Sequence, residues 1–197
     1  MNTIPVVTDT MGRMRDIGSA LLEQRIIVLS GVIDTAQAEL VTSALLYLDA
    51  QPGIQPISLY INSPGGSVTD GLAIHDVMRQ CRHPVHPFCM GQASSMGAVL
   101  LAAGDRRFAL PNSQIMIHQP SGGASGQCDD IQIAAASIAA ARERLNGLLA
   151  AYAGQTAQRI LTDTARDRFM TPEQAKEYGL IDEILAEPAR DAQRGQH

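Results

Sequence analysis

The chain has 197 residues, a mass of 21.0 kDa and a formal net charge of -5 at pH 7. A chain of this length is expected to form one domain with a buried core, and its 45% hydrophobic and 18% charged residues exclude a disordered polypeptide. The acidic charge balance offers no basic surface to phosphates, and 4% aromatic residues leave few rings for stacking on bases. The composition therefore argues against a nucleic-acid partner.

The cysteine content and the hydropathy pattern predict the compartment. The three cysteines form no disulfide framework, and their odd number suits a reducing environment. No apolar run near the first residue has the form of a signal peptide, and no apolar stretch approaches the roughly 20 residues of a membrane span. We therefore expect a cytoplasmic protein without a membrane partner.

Strand-like and helix-like segments alternate along the chain after residue 18. Residues 1–18 lack sustained periodicity and are predicted to form a flexible N-terminal segment, and residues 188–197 are predicted to form a disordered tail. Apolar and β-branched runs predict strands at 26–33, 57–62, 85–90, 106–110 and 114–118. Helices are predicted after the N-cap Asp34, after the turn 63–67, over about 129–152 and between Thr171 and Gly179. This alternation predicts an α/β fold with largely buried strands.

The helix predicted over about 129–152 is long for a domain of this size, at roughly 36 Å for a rise of 1.5 Å per residue. Apolar residues at helical spacing run along it: Ile131, Ala135, Ile138, Leu145, Leu149 and Tyr152. This is more apolar surface than a small core can cover. We therefore expect the outer end of the helix to pack on another chain.

Two adjacent serines occur in the stretch 90-MGQASSMGA-98, just before an apolar run. A serine in that place is ordinarily the N-cap of a helix. The alternative is a nucleophile on a sharp turn between a strand and a helix, which needs small residues two positions to either side. Ser95 has such neighbours in Ala93 and Gly97, whereas those of Ser94 are bulky. The pattern favours Ser95 as a candidate nucleophile and leaves Ser94 as a helix cap or a packing neighbour.

A serine nucleophile needs a base, and His118 is the best placed of the five histidines. It ends an apolar strand and precedes the glycine-rich stretch 119-QPSGGASG-126. A histidine at a strand end is often only structural, but its combination with Ser95 favours the role of a base. Spacing does not select a third group among Asp163, Asp167 and Asp182. Asp167 lies between two arginines, which suits an ionised catalytic carboxylate and a surface salt bridge equally.

The turn 63-SPGGS-67 admits two interpretations. It does not have the pattern of a phosphate-binding loop, because no Gly-Lys-Ser/Thr follows. It is either a plain turn or a source of backbone N–H groups, such as that of Gly66, for an oxyanion hole.

Four residues of types that bind zinc lie close together: Cys81, His83, His86 and Cys89. Along an extended segment, His86 would point to the opposite side from His83 and Cys89. Pro84 and Pro87 restrict any rearrangement. We therefore expect no metal site.

Four separated blocks, taken together, resemble one protein family. They are 60-YINSPGGS-67, 89-CMGQASSMGA-98, 111-PNSQIMIHQPSGG-123 and 164-TARDRFMTPEQAKEYGLID-182. In this order they are similar to the Clp protease proteolytic subunit (ClpP) family of serine peptidases. The resemblance implies a crotonase-like α/β fold of repeated ββα units over residues 19–187. It also implies homo-heptameric rings that stack into a tetradecamer around a degradation chamber, with residues 1–18 at the axial gate and the long helix as a protruding handle.

The resemblance implies roles for single residues. Ser95 would be the nucleophile, His118 the general base and Asp167 the residue that orients His118. The N–H groups of Gly66 and Met96 would form the oxyanion hole. A glycine-rich segment would hold an extended peptide by strand addition, through Ser121, Gly122, Gly123 and Ala124.

The implied activity is hydrolysis of unfolded polypeptides to short peptides by the serine-triad mechanism. No nucleotide-binding motif is present, so unfolding would require a partner AAA+ ATPase, and this chain would need no cofactor. The crotonase architecture also suits acyl-CoA chemistry, but no basic pocket for the CoA phosphates is evident in the sequence.

The sequence departs from the family pattern at the surfaces that meet other subunits. Clefts that dock the unfoldase would include Tyr60, Phe88, Met90, Phe108 and Leu110. Ser58 and Gln80, however, stand where an aromatic residue is usual. Ala165 replaces an acidic residue that pairs across the ring–ring interface, and Gly18 replaces a tyrosine at the start of the body.

These departures are typical of a divergent paralogue. We expect a mixed complex, in which a ring of this chain stacks on a ring of a more typical subunit that recruits the unfoldase. The alternative function is a regulatory or structural ring subunit, active only when the paralogue aligns its triad.

Overall fold

The computed structural model describes residues 5–8 and 12–186. The elements in chain order are β1 (Val6–Thr8), β2 (Met14–Asp16), α1 (Ile17–Glu23), β3 (Ile26–Ser30), α2 (Thr35–Asp49), β4 (Ile57–Ser63), α3 (Val68–Gln80), β5 (Val85–Ser94), α4 (Met96–Ala102), β6 (Phe108–Ala109), β7 (Gln114–Ile117), α5 (Cys128–Ala153), α6 (Ala157–Asp163), β8 (Arg168–Met170), α7 (Pro172–Tyr178) and β9 (Glu183–Ile184).

A seven-stranded sheet forms the centre of the fold. Strands β3, β4, β5, β6 and β9 lie side by side in parallel. Strand β7 is parallel to the last part of β5, and β8 pairs antiparallel with β7. Helices connect the parallel strands, so the predicted α/β class is confirmed.

The core lies between this sheet and the helices packed on it. Along β4 every second side chain is buried, which places Ile57, Leu59 and Ile61 in the core. All seven residues of α4 are buried, because this helix packs against α3, α5 and β5. The helix that begins beside the candidate nucleophile is therefore fixed on several sides.

The predicted helix ends are confirmed at two helices. Asp34 caps α2, because its carboxylate accepts a hydrogen bond from the backbone N–H of Gln37 at 2.9 Å. Thr171 and Gln174 form a reciprocal capping box at the start of α7, and Gly179 ends that helix in the left-handed conformation.

The long helix α5 has 26 residues, one more at each end than predicted. Its buried residues all lie toward its C-terminal end: Leu145, Asn146, Leu149 and Ala153. Toward the other end, Ile131 and Ile133 are 44% and 69% exposed. This chain therefore leaves Ile131 and Ile133 exposed, and their packing on another chain stays a prediction.

The predicted segment 1–18 contains regular structure where it is described. β1 and β2 pair antiparallel, and α1 begins at Ile17 with Asp16 as its N-cap. Strands of three residues are too short for a visible period, which is why the sequence pattern did not show them. The flexibility and the axial position of this segment stay predictions, and the predicted tail 188–197 lies outside the described residues.

Other predicted boundaries shift. β5 continues to Ser94 instead of ending at residue 90, and β6 shrinks to two residues. Helices α1 and α6 and strands β8 and β9 were not predicted; each is at most seven residues long, too short for its periodicity to be recognised, whereas α7, of the same length, was identified from its capping residues. Within the described ranges, no helix is both long enough and apolar enough to cross a bilayer.

Candidate active site

The candidate nucleophile lies at the junction of β5 and α4. The pairing of β5 with β4 shifts register after Ile61, and Gly91 adopts a φ of +73° there, so the strand continues beside β7 as far as Ser94. Ser95 has φ 54° and ψ -121°, a conformation that residues other than glycine rarely adopt. Helix α4 begins at the next residue. The backbone therefore turns sharply from strand to helix at Ser95.

The hydroxyl of Ser95 faces a histidine rather than the helix backbone. Its side chain makes no capping hydrogen bond, and its Oγ lies 2.9 Å from Nε2 of His118. Ser94 lies in β5 and is 3% exposed, and its hydroxyl donates to Oε1 of Gln92 at 3.3 Å. The interpretation of Ser94 as a helix cap is therefore wrong, and Ser94 is a packing neighbour.

His118 and Asp167 are brought together by one pair of strands. Ile117 pairs with Arg168 in the antiparallel ladder of β7 and β8, so His118 follows one strand where Asp167 precedes the other. Nδ1 of His118 lies 3.0 Å from Oδ1 of Asp167. In the neutral ring, Nδ1–H donates to this carboxylate, and Nε2 accepts from the Ser95 hydroxyl.

The other two candidate aspartates bond elsewhere. Asp163 accepts hydrogen bonds from Arg168 at 2.7 Å, from Tyr178 at 2.8 Å and from Arg159 at 3.3 Å. Asp182 forms an ion pair with Arg107 at 2.6 Å. The hydrogen bond from Arg107 holds the pKa of the Asp182 carboxyl below its usual value. Both carboxylates therefore stabilise the body of the protein, whereas Asp167 contacts His118.

The turn 63–67 is held between Ile33 and Ser95. Ile33 N–H donates to the carbonyl of Gly65, and Ser67 N–H donates to the carbonyl of Ile33, each at 2.8 Å. A Cβ on Gly66 would lie 2.1 Å from the carbonyl oxygen of Ile33, and one on Gly65 would lie 2.6 Å from Cβ of Ser95. Both positions therefore require glycine. Gly65 was not predicted as a site residue, although the double glycine pointed to it.

Gly66 and Ser95 share a small pocket of about 60 Å³. Six of its ten lining residues are apolar, namely Val68, Val99, Ile117, Pro120, Leu145 and Leu149, and His118 and Ser121 lie beside the candidate nucleophile. Met96, the other candidate oxyanion donor, is the first residue of α4, so its N–H has no acceptor within the helix. The sequence pattern placed Leu145 and Leu149 in the apolar stripe of α5, and it held no signal that they also line this pocket.

The predicted peptide-binding residues form no strand within this chain. Residues 121–124 are exposed and without regular secondary structure, and Ser121 reaches the pocket. Gly122 lies against α5, because a Cβ there would be 2.8 Å from Cδ1 of Ile138. Peptide binding by this segment stays a prediction.

Three of the five predicted docking residues form an aromatic stack. Tyr60, Phe88 and Phe108 are neighbours on β4, β5 and β6, with ring centroids 4.7 and 4.6 Å apart. Arg106 covers the end of the stack, 5.1 Å from the Phe108 centroid. Met90 is half-buried farther along β5, and Leu110 is half-buried directly after β6. Docking of an unfoldase on these residues stays a prediction.

Two of the residues considered as zinc ligands, His83 and Cys89, contact different backbone carbonyls. Nε2 of His83 lies 3.1 Å from the carbonyl oxygen of Gln51, and Sγ of Cys89 lies 3.7 Å from that of Gln114. Burial raises the pKa of both the Cys81 and the Cys89 thiol to about 11, which disfavours the thiolate that a metal would bind. In the part of the chain that the structure describes, no three potential ligands of these types lie together.

Comparison with known protein families identifies the family of this chain. A family model described as Clp protease matches residues 9–188 of the 197. The chain belongs to the Clp protease family. It is accordingly a ClpP-type peptidase, and the family implies serine chemistry. The mixed α/β structure with its parallel sheet is the ClpP fold, so the fold predicted from the four blocks is confirmed.

Proposed function

We propose that this chain is the proteolytic subunit of an ATP-dependent Clp protease, a serine endopeptidase that cuts unfolded polypeptides into short peptides. The observation that carries the proposal is the continuous contact from Ser95 Oγ to His118 Nε2 at 2.9 Å and from His118 Nδ1 to Asp167 Oδ1 at 3.0 Å. These are the contacts that a serine nucleophile, its base and an orienting carboxylate require.

The proposed mechanism assigns one role to each group. His118 takes the proton of Ser95 as Oγ attacks the peptide carbonyl, and Asp167 stabilises the imidazolium that forms. The N–H groups of Gly66 and Met96 donate to the oxyanion. His118 then protonates the leaving amine, and water releases the acyl-enzyme with His118 again as the base.

The proposed substrate is an extended polypeptide. The valine, isoleucine and leucine side chains that line the pocket beside Ser95 suit an apolar side chain next to the bond that is cut. The exposed segment 121–124 would pair with the substrate backbone as an added strand. Because backbone pairing is independent of side chains, the enzyme would accept many sequences.

The proposed assembly is a homo-heptameric ring that stacks into a cytoplasmic tetradecamer, through which a partner AAA+ ATPase feeds unfolded chains. The exposed Ile131 and Ile133 on the outer part of α5 support stacking, since contact with a second ring would remove them from water. The chain itself would use neither a cofactor nor a metal.

A regulatory subunit in a mixed complex is the second candidate. Ala165 favours it, because a methyl group next to Arg166 and Asp167 leaves no charge to pair across a ring interface. Ser58 and Gln80 also remove aromatic surface from the docking residues. In such a complex, a paralogous ring would recruit the ATPase and align the triad.

Native mass measurement combined with peptidase assays separates the two candidates. The purified chain, and a matched Ser95→Ala preparation, would be measured alone and after mixing with a ClpP paralogue from the same source. The proposal expects rings that hydrolyse a fluorogenic peptide without the paralogue, and no hydrolysis by Ser95→Ala. Activity that appears only in mixed rings, and that survives Ser95→Ala in this chain, would instead establish the regulatory role.

A further inference from the structure

Gln119, the residue after the candidate base, makes two bonds to the segment that leads to Asp167. Its backbone N–H donates to the carbonyl of Thr164 at 2.8 Å. Its side-chain amide Nε2 donates to the carbonyl of Ala165 at 3.0 Å. One residue therefore binds two successive carbonyls on the opposite side of the site.

The segment 164–168 is fixed firmly at its two ends and exposed between them. Thr164 is 1% exposed, and its hydroxyl lies 2.7 Å from the carbonyl oxygen of Ile160. Arg168 begins β8 and is held to Asp163 at 2.7 Å. Residues 165–167 are exposed, and the side chain of Asp167 is 57% exposed. The bond from the Gln119 amide reaches this exposed part directly.

The regular register of the β7–β8 ladder ends at the site. Ladder pairing ends at Ile117 and Arg168, so His118 and Asp167 lie just beyond the last paired residues. Continued regular pairing would set residue 119 opposite 166, but the N–H of Gln119 bonds to the Thr164 carbonyl instead. The pairing therefore shifts by two residues beyond the site, and the Gln119 side chain adds a second bond to the next carbonyl, that of Ala165.

We propose that Gln119 is a positioning residue, which holds the Asp167 carboxylate against His118 by clamping the carbonyl of Ala165. The clamp binds backbone, so it works with any side chain at position 165. It also lies entirely within one chain, which supplies alignment of the triad without a contact from a second ring. This inference rests on the proposed serine peptidase function and assigns a residue to its support.

The test compares Gln119→Met with Gln155→Met in the assembled protein. Methionine keeps the length of glutamine and removes its amide donor. Gln155 is the matched control, because its Nε2 donates to a distant backbone carbonyl, that of Tyr178, at 2.9 Å. We expect kcat of Gln119→Met to fall roughly 10-fold, about what the loss of one hydrogen bond gives and far less than the roughly 10⁴-fold cost of losing the triad aspartate. KM should not change, because Gln119 does not line the described pocket beside Ser95.

Two readouts separate positioning from a general structural effect. With the carboxylate displaced, the His118 imidazolium loses stabilisation, so the acid limb of the rate profile should move to lower pH in Gln119→Met only. In an Asp167→Asn background, Gln119→Met should cause no further loss, because the group it positions is already gone. An unchanged kcat in the single variant, or an equal loss in both backgrounds, overturns the inference.

Crystal structures of the wild type and Gln119→Met keep the two proposals distinguishable. If the wild type has no peptidase activity, the proposed function fails, yet the distance from His118 Nδ1 to Asp167 Oδ1 still tests the clamp. A longer distance in Gln119→Met supports the inference. A distance that stays at the 3.0 Å of the present structure contradicts it.

Discussion

Ile117 and Arg168 form the last pair of the antiparallel ladder between β7 and β8, and this pairing sets His118 beside Asp167. The two side chains are 49 positions apart in the chain, yet Nδ1 and Oδ1 lie 3.0 Å from each other. The arrangement uses contacts within one chain. In this structure Ser95, His118 and Asp167 are therefore aligned by residues of the same chain.

Asp167→Asn should remove catalysis and leave the fold intact. The amide has nearly the same shape, but it favours the wrong tautomer of His118, so we expect kcat to fall roughly 10⁴-fold. The thermal unfolding midpoint should stay near that of the wild type, because the Asp167 side chain is 57% exposed and bonds to His118. Steady-state kinetics and calorimetry check both parts, and a kcat within a few-fold of the wild type would remove Asp167 from the triad.

Two glycine substitutions should act in opposite directions. Gly66→Ala places a Cβ 2.1 Å from the Ile33 carbonyl oxygen at a φ of +155°, so the turn must move. We expect a loss of about 1–3 kcal/mol in the free energy of unfolding and a lower kcat, because the Gly66 N–H moves with the turn.

Gly147→Ala is the matched control inside α5, where an added Cβ meets nothing within 4 Å. It should raise the free energy of unfolding by about 0.5–1 kcal/mol, because alanine loses less entropy in a helix, and it should leave kcat unchanged. Denaturant titration and peptidase assays measure both effects. Equal stabilities for the two variants would contradict the close contact of the turn with Ile33.

The Asp182–Arg107 pair predicts a pH dependence of stability. The hydrogen bond from Arg107 lowers the pKa of Asp182 in the folded state, so the ionised carboxylate stabilises the fold. This contribution is present above the ordinary Asp value of 3.8 and is lost as the pH falls through the lower folded-state value. Asp182→Asn should therefore unfold more easily than the wild type at neutral pH, and the difference should vanish in acid. A difference that persists unchanged in acid would show that the lost contact is not electrostatic.

Local sterics and periodicity predicted part of the site. Small residues at positions 93 and 97 selected Ser95, and both are buried beside the turn from β5 into α4. The position of His118 at a strand end was also visible. These signals are local, so they survive without knowledge of the tertiary fold.

The choice among three aspartates could not be made from local patterns. It depends on the register of β8, a strand of three residues with no period to recognise. The pocket wall was hidden for a related reason, since Leu145 and Val99 have the spacing of ordinary core residues. Only the resemblance of whole blocks to the family pointed to Asp167 before the structure did.

Covalent labelling by a fluorophosphonate, read by intact mass and peptide mapping, measures whether Ser95 is an active nucleophile in this chain without a paralogue. The purified chain should gain one probe per subunit at Ser95, Ser95→Ala should gain none, and His118→Ala should react far more slowly. An assembled and folded wild type that stays unlabelled alone, and becomes labelled only after a paralogue is added, would contradict this expectation.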